Sequence, residues 1–267
     1  MIYFKKKRKD KDGFMIKEYT FDRSEYIIQR SNKTIYGELY RPMTDKEKLP
    51  IIIICHGYNS CCEGVRYEAE LLAKIGVASY CFDFCGGGLK TKSSGKPVEM
   101  TIRTEQSDLE EVIKEISALP FVDKENIYLF GMSQGGFVSA LTAPDYKELI
   151  KALFLVFPAF CIPDDWAEKK RKTTDELIEF GGMCVSRRFV DELPEYNVFE
   201  KAAEFDKRVF IFHGECDPIV KVTYSEKLVK SYKNATLTVF PGQQHWFKGE
   251  YTEQMMDTIC NYIKENG

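Results

Sequence analysis

The feature that most constrains the fold is the segment IYLFGMSQGGFVSA at residues 127–140, in which an apolar run stops at Gly131 and turns through Met-Ser-Gln before two more glycines. This pattern predicts a sharp strand-to-helix turn, because GxSxG allows a strained backbone that lifts the Ser133 hydroxyl clear of the sheet edge. Glycine at 131 and 135 removes Cβ atoms that would collide where strand and helix pass closely. The pentapeptide also occurs often by chance, so the rest of the chain must show whether it marks such a turn here.

Strand and helix patterns alternate along most of the chain. The run PIIIICHG is continuously apolar and ends in glycine, which is typical of a strand buried on both faces. Helical patterns near residues 63–75, near 104–118 and after Gln134 alternate with the apolar runs ASYCFDF, NIYLFG and ALFLVF. This order predicts an α/β fold with a mostly parallel, doubly wound sheet. Before it, the alternating stretches EYIIQR and KTIYGELYR predict an antiparallel N-terminal hairpin.

The alternation stops after Phe157 and resumes near residue 207. Residues 158–206 are rich in charge, contain Pro163, Gly181-Gly182 and Pro194, and show short helical pieces without an obvious buried strand. We therefore expect an insertion that lies over the edge of the sheet.

Strand and helix patterns then return with KRVFIFHG, a helix near 225–232, ATLTVF and a final amphipathic helix near 252–264. The domain organisation expected is one α/β core in two parts, 1–157 and 207–267, separated by the insertion at 158–206.

Composition excludes several classes of partner. The 267 residues are 44% hydrophobic, and 38 Lys and Arg face 41 Asp and Glu, so the formal charge of −3 predicts no nucleic-acid partner. The basic start MIYFKKKRKD lacks the apolar segment of a secretory signal, and LPIIIIC is too short to cross a bilayer. These features predict a soluble protein without a membrane partner, and leave a homodimer open.

The nine cysteines form an odd set without zinc-site spacing, which favours a reducing cytoplasm and no metal. A vicinal disulfide or redox switch at Cys61-Cys62 is the less favoured alternative for that pair.

The three histidines, His56, His213 and His245, each lie at or just past the end of a predicted strand. Ligands of open parallel sheets bind beyond the carboxyl ends of the strands. A serine hydroxyl needs a general base to take its proton, and the base needs an acid to hold its tautomer. HGECDPIV supplies Asp217 past one strand and PGQQHWF supplies His245 past the next, so the chain order after Ser133 is Ser, Asp, His. We predict these three as a catalytic triad.

Each member has a plainer interpretation when taken alone. His245 beside Trp246 resembles an ordinary core or surface histidine, and Asp217 before Pro218 resembles a turn-forming aspartate. Glu215, on the same loop, is the competing acid. The joint occurrence of all three types in this order favours the triad.

Attack on a carbonyl creates an oxyanion that needs hydrogen-bond donors. One predicted donor is the backbone N–H of Gln134, which follows Ser133 at the N-terminus of its helix. The loop after PIIIIC supplies the other, which we assign to the backbone N–H of Tyr58. His56 and His213 are then expected to be structural.

With these motifs in place, the chain resembles the α/β-hydrolases over nearly its whole length, and more narrowly the cinnamoyl or feruloyl esterases of gut and rumen bacteria. The stretches that carry the resemblance are GMSQGGFVSALTA, FPAFCIPDDWAEK, HGECDPIVKVTYSEKL and FDFCGGGLKTKSSGKPVEMTI. The resemblance implies a serine carboxylic-ester hydrolase that forms an acyl-enzyme on a small-molecule ester, without cofactor or metal. It also implies that the insertion after the sixth strand is a lid lining the acyl pocket.

By position in that family, Asp164 would accept a hydrogen bond from a phenolic ring of the substrate, with Asp165 as its neighbour and Trp166 as a stacking wall. The alternative is that both aspartates cap the helix that begins near Trp166. For the whole chain, a thioesterase, acyltransferase or acyl-peptidase on the same fold is the alternative function, and a catalytically silent binding module a further one.

Overall fold

The computed structural model describes residues 18–30, 32–172 and 175–267, and for residues 168 and 170–172 it describes the backbone alone. The basic run at residues 5–9 therefore lies outside the described residues, as does Ser31 in the predicted N-terminal turn. The strands are β1 (Phe21–Glu25), β2 (Ile28–Arg30), β3 (Lys33–Ile35), β4 (Gly37–Pro42), β5 (Leu49–Cys55), β6 (Ala78–Phe82), β7 (Val122–Met132), β8 (Ile150–Val156), β9 (Leu177–Phe180), β10 (Met183–Ser186), β11 (Arg208–Gly214) and β12 (Ala235–Phe240).

Eight of these strands form one sheet in the order β1-β4-β6-β5-β7-β8-β11-β12. The pairs β1–β4 and β4–β6 are antiparallel, and the five remaining pairs are parallel. Strands β2 and β3 form a separate antiparallel pair between β1 and β4 in sequence. The mostly parallel sheet with antiparallel N-terminal strands confirms the predicted fold class.

Helices cover both faces of the sheet. They are α1 (Arg66–Lys74), α2 (Ile102–Ser117), α3 (Gln134–Thr142), α4 (Ile162–Lys172), α5 (Arg188–Asp191), α6 (Val198–Ala203), α7 (Val222–Ser231) and α8 (Glu250–Asn266). Short 3-10 turns occupy Cys62–Val65, Pro97–Glu99 and Ala143–Tyr146. Among the helices of the described residues, none is both long and apolar enough to cross a membrane.

The central strand β5 shows how the sequence creates this layering. Ile51 and Ile53 point to the apolar cluster under α2 and α3, whereas Ile52 and Ile54 point to the cluster under α1 and α8. All four are fully buried, and burying each contributes about 2 kcal/mol. The continuous apolar run therefore corresponds to a strand buried on both faces, as predicted.

The segment 158–206 follows β8, the sixth strand of the main sheet, and contains α4, β9, β10, α5 and α6. The expectation that it has no buried strand is wrong, because β9 and β10 pair as a hairpin and β10 buries Met183 and Val185. Gly181 and Gly182 form its two-residue turn with φ of 53° and 76°. Such a turn needs positive φ at both positions, which glycine adopts freely.

Candidate active site

Ser133 is the single residue between the end of β7 and the start of α3. Its backbone conformation is one that few non-glycine residues adopt. Its φ is 52° and its ψ is −119°, a geometry that costs on the order of 1–3 kcal/mol. The turn is held because Ser133 N–H donates to the Val156 carbonyl at 2.9 Å. A Cβ on Gly131 would lie 2.5 Å from the Gly135 oxygen, and one on Gly135 would lie 2.3 Å from the His56 oxygen. The predicted reason for both glycines is confirmed.

The structure brings the three predicted triad residues together. His245 Nε2 lies 3.1 Å from Ser133 Oγ, and His245 Nδ1 lies 2.7 Å from Asp217 Oδ2. The side chains are almost completely buried. They follow β7, β11 and β12 at one edge of the sheet, because parallel strands carry their carboxyl ends to the same side.

The Asp217 carboxylate is fixed by four groups. Its Oδ1 accepts from the N–H groups of Ile219 and Val220 at 2.8 and 2.9 Å, and its Oδ2 contacts His245 and, at 3.3 Å, His213 Nε2. Burial raises the pKa of Asp217, but the bonds from the two histidines and Val220 outweigh it and hold the pKa well below its usual range. The carboxylate therefore stays ionised and keeps the proton of His245 on Nδ1.

Glu215, the competing acid, points elsewhere. Its Oε2 accepts a hydrogen bond from the Gly242 N–H at 2.9 Å, across the loop that leads toward His245. Asp217 is thus the acid whose carboxylate meets the His245 ring, a choice that spacing in the sequence left open.

His213 lies beside the triad without facing Ser133. Its Nε2 is 2.8 Å from the Val220 carbonyl, and its Nδ1 is 2.7 Å from Ser225 Oγ. Because Nε2 meets the carbonyl and the Asp217 carboxylate, it carries the proton, and Ser225 donates to Nδ1. The ring therefore braces Asp217, a contact that sequence reasoning did not foresee.

A second unforeseen neighbour is Phe157, the residue after β8. It has a φ of 38°, unusual for a bulky residue, and its N–H donates to the Phe212 carbonyl at 2.7 Å. Its ring centroid lies 4.2 Å from that of His245. The strained backbone thus places an aromatic surface against the imidazole, and only the position of Phe157 at a strand end could have pointed to it.

The two residues predicted to supply oxyanion donors lie on segments next to Ser133: Gln134 follows it in the chain, and Tyr58 follows Gly57. A Cβ on Gly57 would lie 3.2 Å from the Ser133 Cβ, so the loop that carries Tyr58 passes directly beside the hydroxyl. Within the described residues, neither the Tyr58 N–H nor the Gln134 N–H has a partner in a turn, cap or loop. Their assignment as oxyanion donors stays a prediction.

His56 organises the Tyr58 loop, as the sequence predicted. Its Nδ1 contacts the Gly57 carbonyl at 2.7 Å, and its Nε2 accepts from the Phe84 N–H at 3.1 Å. Burial is the main cause that lowers the pKa of His56, so the neutral ring with both partners is favoured.

The same loop touches the hairpin of the 158–206 segment. Tyr58 Oη donates to the Phe180 carbonyl at 2.9 Å, and Asn59 Nδ2 donates to the Gly181 carbonyl at 3.0 Å. The rings of Tyr58 and Phe180 pack with centroids 5.3 Å apart. The turn between β9 and β10 therefore braces the loop beside Ser133.

The predicted substrate-binding residues occupy two settings. Asp164 and Asp165 are exposed in the first turn of α4, where carboxylates interact favourably with the helix dipole. The helix begins at Ile162, so neither aspartate is its N-cap. Asp164 Oδ2 accepts from Tyr224 Oη at 2.8 Å. Trp166 is 2% exposed and packs against other aromatic rings of the segment.

One group of possible metal ligands occurs among the described residues: Glu38, Cys62 and Cys81 have donor atoms within 4.8 Å of one another. The Glu38 carboxylate already accepts from Arg66 at 2.8 Å and from Tyr40 Oη at 2.6 Å. A carboxylate with these partners is poorly suited to a cation. Cys61 and Cys62 are both free thiols.

Comparisons with known proteins agree with this fold. The family model described as serine aminopeptidase, S33 matches residues 46–182, just over half of the chain. The structure of Est1E from Butyrivibrio proteoclasticus with bound ferulic acid is 27% identical, with a TM-score of 0.83 over 90% of this chain and 98% of that one. Alpha/beta hydrolase domain-containing protein 10 from mouse is 20% identical, with a TM-score of 0.71 over 91% of this chain and 100% of that one.

Among curated proteins, prolyl endopeptidase FAP of Bos taurus is 22% identical over 252 residues, which cover 86% of this chain and 31% of that protein. The chain thus spans less than a third of that relative's length. The family match and the strand order together lead to one conclusion: the chain is an α/β-hydrolase that belongs to the serine aminopeptidase S33 family and resembles feruloyl esterases.

Proposed function

We propose that this protein is a serine carboxylic-ester hydrolase that works through an acyl-enzyme intermediate. The observation that carries the proposal is the continuous hydrogen-bonded path from Ser133 Oγ through His245 to Asp217, with distances of 3.1 and 2.7 Å. A nucleophile, a base within hydrogen-bond reach and an acid that orients the base are what acyl transfer needs.

In the proposed reaction, Ser133 Oγ attacks the ester carbonyl while its proton moves to His245 Nε2. The N–H groups of Tyr58 and Gln134 stabilise the oxyanion, and losing one such donor costs roughly 3 kcal/mol of transition-state stabilisation. His245 then gives the proton to the leaving alkoxide, which departs as the alcohol. Water, deprotonated by the same histidine, attacks the acyl-enzyme and releases the acid and Ser133.

For the acyl group, we propose a hydroxycinnamoyl ester of the feruloyl type, with the 158–206 segment as a lid over the site. Support comes from the likeness to Est1E, which was solved with ferulic acid, over 90% of this chain. Support also comes from Asp164, whose carboxylate already accepts a hydrogen bond from the phenol of Tyr224. A phenolic substrate would replace Tyr224 as the donor, with Asp165 beside it and Trp166 behind the pocket wall.

The test is a pair of initial rates, on methyl ferulate and on p-nitrophenyl acetate, with Ser133→Ala as the control. Efficient cleavage of both esters by the parent alone is the expected result. Cleavage of the activated acetate alone would overturn the feruloyl assignment while leaving the ester hydrolase in place. Equal rates for parent and Ser133→Ala would overturn the mechanism.

A second candidate is hydrolysis of an acylated or free amino-terminal peptide bond. It is favoured by the family match and by the likeness to prolyl endopeptidase FAP. Aminoacyl and acyl-aminoacyl p-nitroanilides distinguish it from the ester hydrolase, because an amide needs protonation of a much poorer leaving group. Turnover of an anilide faster than methyl ferulate would favour the peptidase.

A further inference from the structure

A carboxyl group outside the proposed triad lies buried beneath the turn of Ser133. Glu105, in the first turns of α2, is 2% exposed and shares the buried face of that helix with Ile102 and Leu109. Its Oε2 accepts a hydrogen bond from Gln134 Nε2 at 2.8 Å. Gln134 is itself 3% exposed, so this contact is shielded from water.

The partner of Glu105 is the residue whose backbone belongs to the proposed oxyanion hole. Gln134 follows Ser133 directly, and its amide side chain also lies 3.7 Å from Met100 Sδ. Fixing the side chain at its far end restricts the first turn of α3, which carries the N–H beside the nucleophile. Glu105 thus contacts the side chain of the residue whose N–H is a predicted oxyanion donor, and it does not itself reach the substrate.

The electrostatic setting of Glu105 is unusual for a carboxyl group. Burial raises its pKa to about 8, the bond from Gln134 acts in the opposite direction, and the charge of Asp108 raises it further. Asp108 has its own ion pair with Arg30 on β2. Within the described part of the chain, no cation pairs with Glu105.

Two other groups from neighbouring elements sense the same charge. Glu105 contributes to the raised pKa of the Cys55 thiol at the end of β5 and to that of the Tyr58 phenol, after burial in each case. Tyr58 is the other residue assigned to the oxyanion hole. A charge on Glu105 therefore acts on side chains of two neighbouring elements, one of which belongs to the residue assigned to the oxyanion hole.

We propose that Glu105 is a positioning residue that must be neutral for full activity: it fixes Gln134, and loss of its proton places a buried negative charge behind the oxyanion hole. This inference rests on the proposed function. Like charges in a shielded site repel strongly, since the effective dielectric is low. A carboxylate there opposes the negative charge that develops on the carbonyl oxygen, and the rate falls as pH rises through the pKa.

The experiment is a pH–rate profile from pH 6 to 9.5 for the parent, Glu105→Gln and the matched control Glu115→Gln, an exposed glutamate on the same helix. Glutamine keeps an oxygen that accepts from Gln134 but cannot ionise. Two readouts are used, kcat on p-nitrophenyl acetate and the rate at which a fluorophosphonate modifies Ser133, which needs the same donors. Mass spectrometry identifies the modified residue.

We expect kcat of the parent and of Glu115→Gln to fall roughly tenfold between pH 7 and pH 9, because about one molecule in ten keeps the proton one unit above its pKa. Glu105→Gln should match the parent near pH 6.5 and keep that rate at pH 9. A parent without the alkaline fall, or a Glu105→Gln variant that retains it, would overturn the proposal.

The two readouts separate failure of this inference from failure of the proposed function. If the esters are not cleaved but the fluorophosphonate still modifies Ser133, its rate carries the test of Glu105. If Ser133 is not modified at any pH, the nucleophile assignment itself is wrong, and the inference is overturned with it.

Discussion

Two regions of the molecule converge on Ser133, and they are built differently. The ends of β11 and β12 present Asp217, His213 and His245, whose polar atoms are buried and each meet a protein partner. The 158–206 segment presents exposed carboxylates on α4 and a hairpin of two four-residue strands. The residues of the first region lie at the ends of strands of the main sheet, whereas the described part of the second region contributes no strand to that sheet.

We expect this difference to separate the groups that carry out the reaction from the groups that select the substrate. Buried and fully paired groups keep one geometry, because any displacement leaves a polar atom without a partner. Exposed groups such as Asp164 exchange partners with water or substrate at little cost. We therefore expect changes in the first region to abolish turnover and changes in the second to alter which ester is cleaved.

The largest effect is expected from Ser133→Ala. Removing the nucleophile should reduce kcat on p-nitrophenyl acetate by about 10⁶-fold, as in other triad enzymes. The melting temperature should stay close to that of the parent, because the substitution removes only one hydroxyl group. Substantial residual turnover in the purified variant would contradict the expectation that changes in the buried region abolish turnover.

Asp217→Asn should come next, with kcat reduced by about 10⁴-fold because the amide no longer holds the proton of His245 on Nδ1. Glu215→Gln is the matched control, since its carboxylate contacts the Gly242 N–H instead. Steady-state kinetics on the same ester measure both. Near-parental activity of Asp217→Asn together with loss of activity in Glu215→Gln would show that Glu215, and not Asp217, orients His245.

A smaller effect is expected at the contact between the regions. Tyr58→Phe removes the hydrogen bond to the Phe180 carbonyl but keeps the ring, at a cost of about 1 kcal/mol. If the hairpin steadies the oxyanion loop, kcat should fall about fivefold with KM unchanged. Tyr262→Phe on α8 is the control, and a change in KM alone would show that Tyr58 serves binding instead.

The smallest effect should come from Asp164→Asn and concern selectivity alone. The ratio of kcat/KM for methyl ferulate over methyl cinnamate, which lacks the phenol, should fall about fivefold, the worth of one hydrogen bond near 1 kcal/mol. Turnover of p-nitrophenyl acetate should not change. Glu179→Gln, an exposed carboxyl on β9, is the control. An unchanged ratio would remove Asp164 from the pocket.

The sequence predicted the sheet and the meeting of Ser133, Asp217 and His245 because both depend on strand ends. Apolar runs mark the strands, and parallel strands bring their carboxyl ends to one edge. It predicted Asp217 but kept Glu215 as the competing acid, since two residues on one loop differ only in the direction each side chain takes. That direction is set by the N–H groups of Ile219 and Val220.

Other elements left weaker signals. The hairpin of β9 and β10 escaped prediction because β9 is mostly exposed and its residues show no clear alternation. The sequence does contain a signal for Glu105, since it lies in the apolar stripe of α2 together with Ile102 and Leu109. A charged residue on the buried face of a helix is rarely found without a polar partner. The partner, Gln134, lies 29 positions away in sequence and is brought close only by the fold.

The two tryptophans of the chain divide between the two regions. Trp166 is 2% exposed within the 158–206 segment, and Trp246, next to His245, is 55% exposed. An indole in an apolar setting emits at shorter wavelength and resists aqueous quenchers, whereas an exposed one emits at longer wavelength and is quenched. The molecule therefore carries a separate optical reporter in each region, and replacing either tryptophan by phenylalanine leaves the other region with its own signal.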